Sequence, residues 1–195
     1  MKQLLLLKVG RTFEHIAAQR GDYDAWFHER LGADGNLAVH DIDRGEPLPE
    51  HFDYAGIVVT GSFAMVTDRE PWSLAAAAYL REAVQRAVPT LGVCYGHQLL
   101  ADAFGGEVAD NPRGRHAGTA SVQLSPEAAS DPLFSGLPST LRVHVSHRQS
   151  VIALPPEATL LASCASDPHH AFRIGELAWG VQFHPEFNAW VARAY

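Results

Sequence analysis

Short apolar runs and longer amphipathic stretches alternate through the first half of the chain. Leu4–Val9, Leu37–Asp41 and Gly56–Thr60 read as strands, and Glu14–Leu31 contains a helix. Pro71 opens another helix, with Ala76, Leu80, Ala83, Val84 and Ala87 on one apolar face. A strand ending at Cys94 follows, then a helix over His97–Phe104 closed by Gly105-Gly106. Nearly continuous apolar strands interleaved with helices predict a parallel sheet covered on both faces, with ligands at the carboxyl ends of its strands. Gly61 and Cys94 fall at such ends.

The second half changes character. Gly106–Ala109, Thr119–Leu124, Leu141–Ser146, Thr159–Ser163, Ala171–Ile174 and Trp179–His184 read as strands, punctuated by turns at Ser125-Pro126, Leu137-Pro138 and Leu154-Pro155-Pro156. The fold class is therefore α/β: a mostly parallel central sheet with helices on both faces and an added strand-rich second half. There is no repeat and no low-complexity linker, so residues 1–195 are expected to form a single domain. Phe187–Tyr195 reads as the start of a helix cut short.

The most informative segment is Thr90-Leu91-Gly92-Val93-Cys94-Tyr95-Gly96-His97-Gln98. An apolar run ends on a cysteine, and a helical pattern begins at once. That is the form of a nucleophile elbow, a tight strand-to-helix corner whose neighbours must lack side chains where strand and helix crowd together. Gly92 and Gly96 stand at those places. The corner puts the sulfur at a helix N-terminus, where the dipole and free N–H groups favour thiolate. Without such flanks, a free cysteine is usually a small core hydrophobe.

A nucleophile needs a base, and the base an orienting group. The run Ala178-Trp179-Gly180-Val181-Gln182-Phe183 ends in His184-Pro185-Glu186. Residues i and i+2 of an extended segment share one side, and Pro185 biases His184 toward extended backbone. Glu186 can then hold one ring nitrogen of His184 while the other faces sulfur.

These pieces, with Val145-Ser146-His147 and Gly56-Ile57-Val58-Val59-Thr60-Gly61-Ser62, resemble the class I (triad) glutamine amidotransferases over nearly the whole chain and in the family's order. Within that family the likeness is to the glutaminase domain of GMP synthase and its stand-alone relatives. The resemblance implies a flavodoxin-like sheet and a triad of Cys94, His184 and Glu186. It also implies that Gln98 contacts the bound substrate and that the segment of Ser146, His147 and Arg148 holds its amino-acid end.

Tyr95 is positioned to supply one oxyanion-hole N–H. The second comes from Gly61 or Ser62, in a loop reading Gly61-Ser62-Phe63 where the family usually has two glycines and a proline. Arg148 stands where a glycine is often found in the family, which implies either a narrower amino-acid pocket or a preference for a substrate with an added anionic group.

The function expected is cysteine-dependent hydrolysis of a γ-glutamyl amide through a γ-glutamyl thioester, with glutamine or a γ-glutamyl peptide as substrate. One alternative is a glutaminase subunit that delivers ammonia to a separate synthase. A second is an inactive ligand-binding or regulatory module, against which the intact triad argues. No cofactor is expected.

Of 195 residues, 15 are Lys or Arg and 22 Asp or Glu, a net charge of −7 that argues against nucleic-acid or anionic-membrane partners. Met1–Arg11 is too short in its apolar core for a signal peptide. Cys164, after the apolar run Thr159–Ser163, reads as a reduced core residue, and a cytoplasmic location fits two unpaired cysteines. Among 11 histidines, His169-His170 and His144-x-x-His147 lack matching ligands at metal-binding spacing, so no metal is expected.

Overall fold

The computed structural model of the chain describes residues 2–32 and 36–195. Its elements in order are β1 (Leu4–Lys8), α1 (Glu14–Arg20), α2 (Tyr23–Leu31), β2 (Leu37–Asp41), β3 (Gly56–Val59), α3 (Pro71–Gln85), β4 (Thr90–Val93) and α4 (Tyr95–Ala103). There follow β5 (Glu107–Asp110), β6 (His116–Leu124), β7 (Thr140–His147), β8 (Gln149–Ala153), β9 (Ala158–Cys164), β10 (Asp167–Ile174), β11 (Ala178–Val181) and α5 (Ala189–Ala194).

Nine strands form one sheet in the order β2-β1-β3-β4-β11-β10-β9-β6-β7. The first five run parallel, and from β11 onward neighbours are antiparallel. The parallel half explains the nearly unbroken apolar strands: both faces are covered. Along β1, Leu5 and Leu7 join a core with Leu80, Leu99 and Leu100, while Leu6 joins a core on the opposite face with Trp26, Phe27, Val93 and Val181.

Several boundaries differ from the sequence expectation. The stretch Glu14–Leu31 is two helices, because Gly21 turns out at φ 74° and Asp22 caps a new start, its Oδ1 accepting from Tyr23 N at 2.9 Å. Asp22 also meets the buried Lys8 ammonium at 2.8 Å, with Asp24 at 2.6 Å. Ala87 lies beyond α3 at φ 57°, so it is not part of the helix face. Helix α4 starts at Tyr95, directly after the cysteine, rather than at His97.

The predicted strand Gly106–Ala109 is Glu107–Asp110, and it leaves the main sheet to pair with β8, which sequence reasoning missed. β6 begins earlier than predicted, at His116, and β10 at Asp167. β11 ends at Val181, short of His184. Gln182 N still donates to His170 O at 2.9 Å, but Pro185 has no N–H to continue a ladder.

Candidate active site

The carboxyl ends of β3, β4 and β11 lie side by side in the sheet, and each delivers one part of the site. At the end of β4, Cys94 adopts φ 53°, ψ −100°, a conformation rare for a residue with a side chain. The two flanking glycines permit it. A Cβ on Gly92 would sit 2.3 Å from Gly96 O, and one on Gly96 would sit 2.7 Å from Val59 O. Cys94 N donates to Val181 O at 2.9 Å and its carbonyl accepts from Gln98 N at 3.2 Å, so the corner is tied to strand and helix alike.

Just past β11, His184 Nδ1 and Glu186 Oε1 are 2.7 Å apart, with both side chains almost fully buried. Phe187 stacks on the ring at 4.1 Å between centroids, and Tyr23 lies nearly parallel to it at 6.5 Å. Tyr23 in turn meets Tyr195 Oη at 3.1 Å, and Thr12 Oγ1 meets the same hydroxyl at 2.8 Å. Through these contacts the last residue, behind the short helix α5, buttresses the histidine. Burial alone would lower the His184 pKa, but the Glu186 carboxylate and the Cys94 sulfur outweigh it and raise the value to about 10. The second Glu186 oxygen has no hydrogen-bond partner among the described residues.

Gly61, after β3, completes the convergence. A Cβ there would lie 3.0 Å from His184 Cε1 and 3.6 Å from Cys94 Cβ, so its bare backbone faces both side chains. Its carbonyl is occupied by Thr60 Oγ1 at 3.0 Å, and Ser62 Oγ is turned to Ala64 N at 3.1 Å. The N–H groups of the first α4 turn, Tyr95 among them, have no acceptor within the helix.

A cavity of about 260 Å³ opens over the sulfur, lined by Ser62, Cys94, Tyr95, Gln98, Arg115 and the segment Ser146–Gln149, among others. It thus gathers most of the residues singled out from sequence, yet several are engaged differently from expectation. Gln98 is buried, its Nε2 donating to Gln149 O at 2.7 Å and to Gln182 Oε1 at 2.9 Å, which ties α4 to the strand-rich half. Ser146 presents its carbonyl oxygen 3.9 Å from Cys94 Sγ. The His147 ring is buried, with Nδ1 2.9 Å from Gln149 O. Arg148 is exposed at the rim and ion-paired to Asp110, with Nη2 to Oδ2 at 2.7 Å.

Sequence reasoning missed Arg115. It lines the cavity, its Nη2 lies 3.4 Å from Ser146 Oγ, and it has no carboxylate partner among the described residues. The only signal was its place in the basic loop Asn111-Pro112-Arg113-Gly114-Arg115. Cys164, expected in the core, is half-buried at a strand end, with Sγ 3.3 Å from Ser166 Oγ. No described helix is long and apolar enough to cross a membrane.

Comparison with known proteins decides the lineage. The family model described as "Glutamine amidotransferase class-I" matches residues 26–193. The chain belongs to this family. Among curated relatives, the glutamine-hydrolyzing GMP synthase of Aeropyrum pernix is 33% identical over 183 residues, covering 94% of this chain and 32% of that protein. A subunit of the glutamine-hydrolyzing GMP synthase of Halobacterium salinarum is 33% identical over 174 residues, covering 88% of this chain and 87% of its own length. The chain spans less than two thirds of the length of several other relatives, such as the corresponding protein of Pyrococcus furiosus, matched over 51% of each protein at 46% identity. A glutamine amido transferase from Methylobacillus flagellatus superposes with a TM-score of 0.82 at 27% identity, covering 100% of this chain and 74% of the other. The α/β fold described above is shared with that structure.

Proposed function

We propose that this class I glutamine amidotransferase hydrolyses a γ-glutamyl amide through a thioester on Cys94. The observation that carries the reading is the convergence of a strained cysteine, which lines the cavity, with a buried His184–Glu186 pair and the bare Gly61 backbone beside it. His184 stays protonated through neutral pH, so its proton is available to the leaving group.

Cys94 sulfur attacks the side-chain amide carbon, and the carbonyl oxygen takes up negative charge. Tyr95 N–H and an N–H of the Gly61-Ser62 loop receive it, since fixed donors cost no reorganisation during the reaction. His184 gives its proton to the departing nitrogen, the C–N bond breaks, and ammonia or an amine leaves. The neutral imidazole then takes a proton from water, whose oxygen attacks the thioester carbon. Collapse breaks the C–S bond, releasing glutamate and returning sulfur and imidazolium to their starting state. Glu186 holds the ring through Nδ1 and stabilises its charge throughout.

The substrate's α-amino-acid end is assigned to the Ser146–Arg148 side of the cavity. Because Arg148 already pairs with Asp110, an additional substrate carboxylate, as on a γ-glutamyl peptide, is assigned to Arg115. The test is release of ammonia or amine from glutamine and glutathione by the isolated chain, with Cys94→Ala as the control. Equal turnover by that variant overturns the reading.

The Halobacterium and Pyrococcus relatives carry names that make them separate subunits of GMP synthase, which favours a second reading. In it the same thioester chemistry supplies ammonia to a synthase on another chain. Glutamine hydrolysis that stays negligible until such a synthase is added, then rises, selects it.

A further inference from the structure

Beyond the catalytic site, the strand-rich half gathers His116, His147 and His170, with one ring nitrogen of each within 4.8 Å of those of the other two. They come from three strands. His116 opens β6 and faces His147 across the β6–β7 ladder, while His170 lies on β10. The rings are mutually steep, at 69°, 88° and 86°, so their edges converge instead of stacking.

Two of these rings hold polar atoms that the fold leaves unserved. Both nitrogens of His170, which is 0% exposed, and Nε2 of His147 are buried without a hydrogen-bond partner. An unmet buried polar group is costly, so three on two neighbouring rings call for an explanation. His147 Nδ1 lies 2.9 Å from the Gln149 carbonyl, which requires that nitrogen to carry the hydrogen and leaves the Nε2 lone pair pointing inward. A carbonyl on the far nitrogen is the usual outer support of a metal-binding histidine. The Nε2 lone pair looks at Asp167 Oδ2 at 4.0 Å, two acceptors facing each other with no hydrogen between.

Asp167 is fully buried and, among the described residues, held only by neutral donors, Ser150 Oγ at 2.9 Å and His169 N at 3.0 Å. Asn111 Nδ2 braces the same Ser150 hydroxyl at 3.0 Å. The half-buried His116 has its ring nitrogens 3.1 and 3.3 Å from Ser166 Oγ, a contact that a slight rotation releases. Three converging imidazoles, with the Asp167 carboxylate 4.0 Å from one of them, form a donor set suited to a four-coordinate divalent transition metal.

We propose that His116, His147 and His170, completed by Asp167, bind one zinc ion that clamps β6, β7 and β10 beneath the active-site cavity. Zinc bonds of 2.0–2.1 Å to nitrogen place tetrahedral donors about 3.4 Å apart, so the rings close in by roughly 1 Å. The site is enclosed and uses four protein ligands, which marks it as structural. Its seat explains a use: His147 directly follows Ser146, whose carbonyl faces the Cys94 sulfur, and its Nδ1 shares the Gln149 carbonyl with Gln98.

The test uses Cys94→Ala protein, which removes the catalytic thiol as a rival ligand. The full chain is stripped with a chelator, titrated with zinc, and measured for metal content and thermal midpoint, and cobalt is added in parallel. We expect about one ion per chain, a midpoint that rises with zinc concentration, and visible cobalt bands of a tetrahedral nitrogen and oxygen site without thiolate charge transfer. His116→Ala, at a half-buried strand start, and the volume-conserving His170→Gln each weaken zinc binding by more than ~10-fold. Absence of uptake by folded protein overturns the proposal. So does uptake untouched by both substitutions, or cobalt spectra dominated by thiolate, which place the metal elsewhere.

Discussion

Replacing Glu186 with glutamine keeps the size of the side chain and an acceptor for His184 Nδ1, and removes only the charge. The rise of His184 from 6.5 to about 10 corresponds to ~5 kcal/mol in favour of imidazolium. Burial opposes that rise, the Glu186 carboxylate is the largest contribution supporting it, and the Cys94 sulfur supplies much of the remainder. Assigning about half to the carboxylate, ~2–3 kcal/mol, Glu186→Gln lowers kcat/KM about 100-fold, while turnover stays measurable because nucleophile and oxyanion donors remain. The pH profile moves with it. In the wild type the proton needed by the leaving group is lost as pH rises through about 10, and in the variant this basic limb shifts down toward 6.5. The linkage has the same sign for stability: the pair contributes fully below 6.5 and its contribution is lost as pH rises toward about 10. Ammonia or amine release from glutamine and glutathione, measured from neutral pH to beyond 10, reads both effects. Unchanged kcat/KM with an unmoved basic limb would refute the assignment of Glu186 as the ring's electrostatic support.

Gly92→Ala places a methyl 2.3 Å from Gly96 O, against an ordinary contact of 3.4 Å or more, so the start of α4 must move by about 1 Å. Activity should fall ~100-fold and the thermal midpoint should drop; wild-type values for both would show the corner is not packed as described. Arg115→Ala should lower kcat/KM for glutathione ~10-fold or more and leave glutamine nearly unaffected, whereas Arg148→Ala, whose partner Asp110 is also exposed, should change either by less than about threefold. The reverse ranking returns carboxylate recognition to Arg148. Brief iodoacetamide treatment followed by peptide mapping should modify Cys94 well before Cys164, and equal labelling counts against an activated sulfur.

The elbow was legible because it is local. Gly92, Cys94 and Gly96 must be spaced that way for strand and helix to touch, and Gly61 was found by its place after an apolar strand. The His-x-Glu pair was legible for the same reason, although the strand stops at Val181 and the two side chains meet in a turn. What escaped was set by distant pairing. The strand Gln149–Ala153 has no boundary of its own in sequence, since it follows β7 after a single residue and is defined by its partner β5. Arg115 reaches the cavity through the path of a loop, while Arg148 is drawn aside by Asp110, an ion pair across 38 positions. His116, His147 and His170 are separated too widely for any ligand spacing to appear, and the antiparallel half of the sheet alone brings them together.

The central claim is that Cys94 is a nucleophile aimed at a γ-glutamyl carbonyl. A glutamine analogue carrying a diazoketone in place of the side-chain amide tests it most directly, because it alkylates only a sulfur that already sits at the reacting carbon. The account predicts that intact mass analysis finds one adduct per chain, that peptide mapping places it on Cys94, and that excess glutamine slows its formation. It also predicts that His184→Ala slows labelling strongly. Labelling that falls on Cys164, proceeds equally in Cys94→Ala, or is indifferent to glutamine would contradict it.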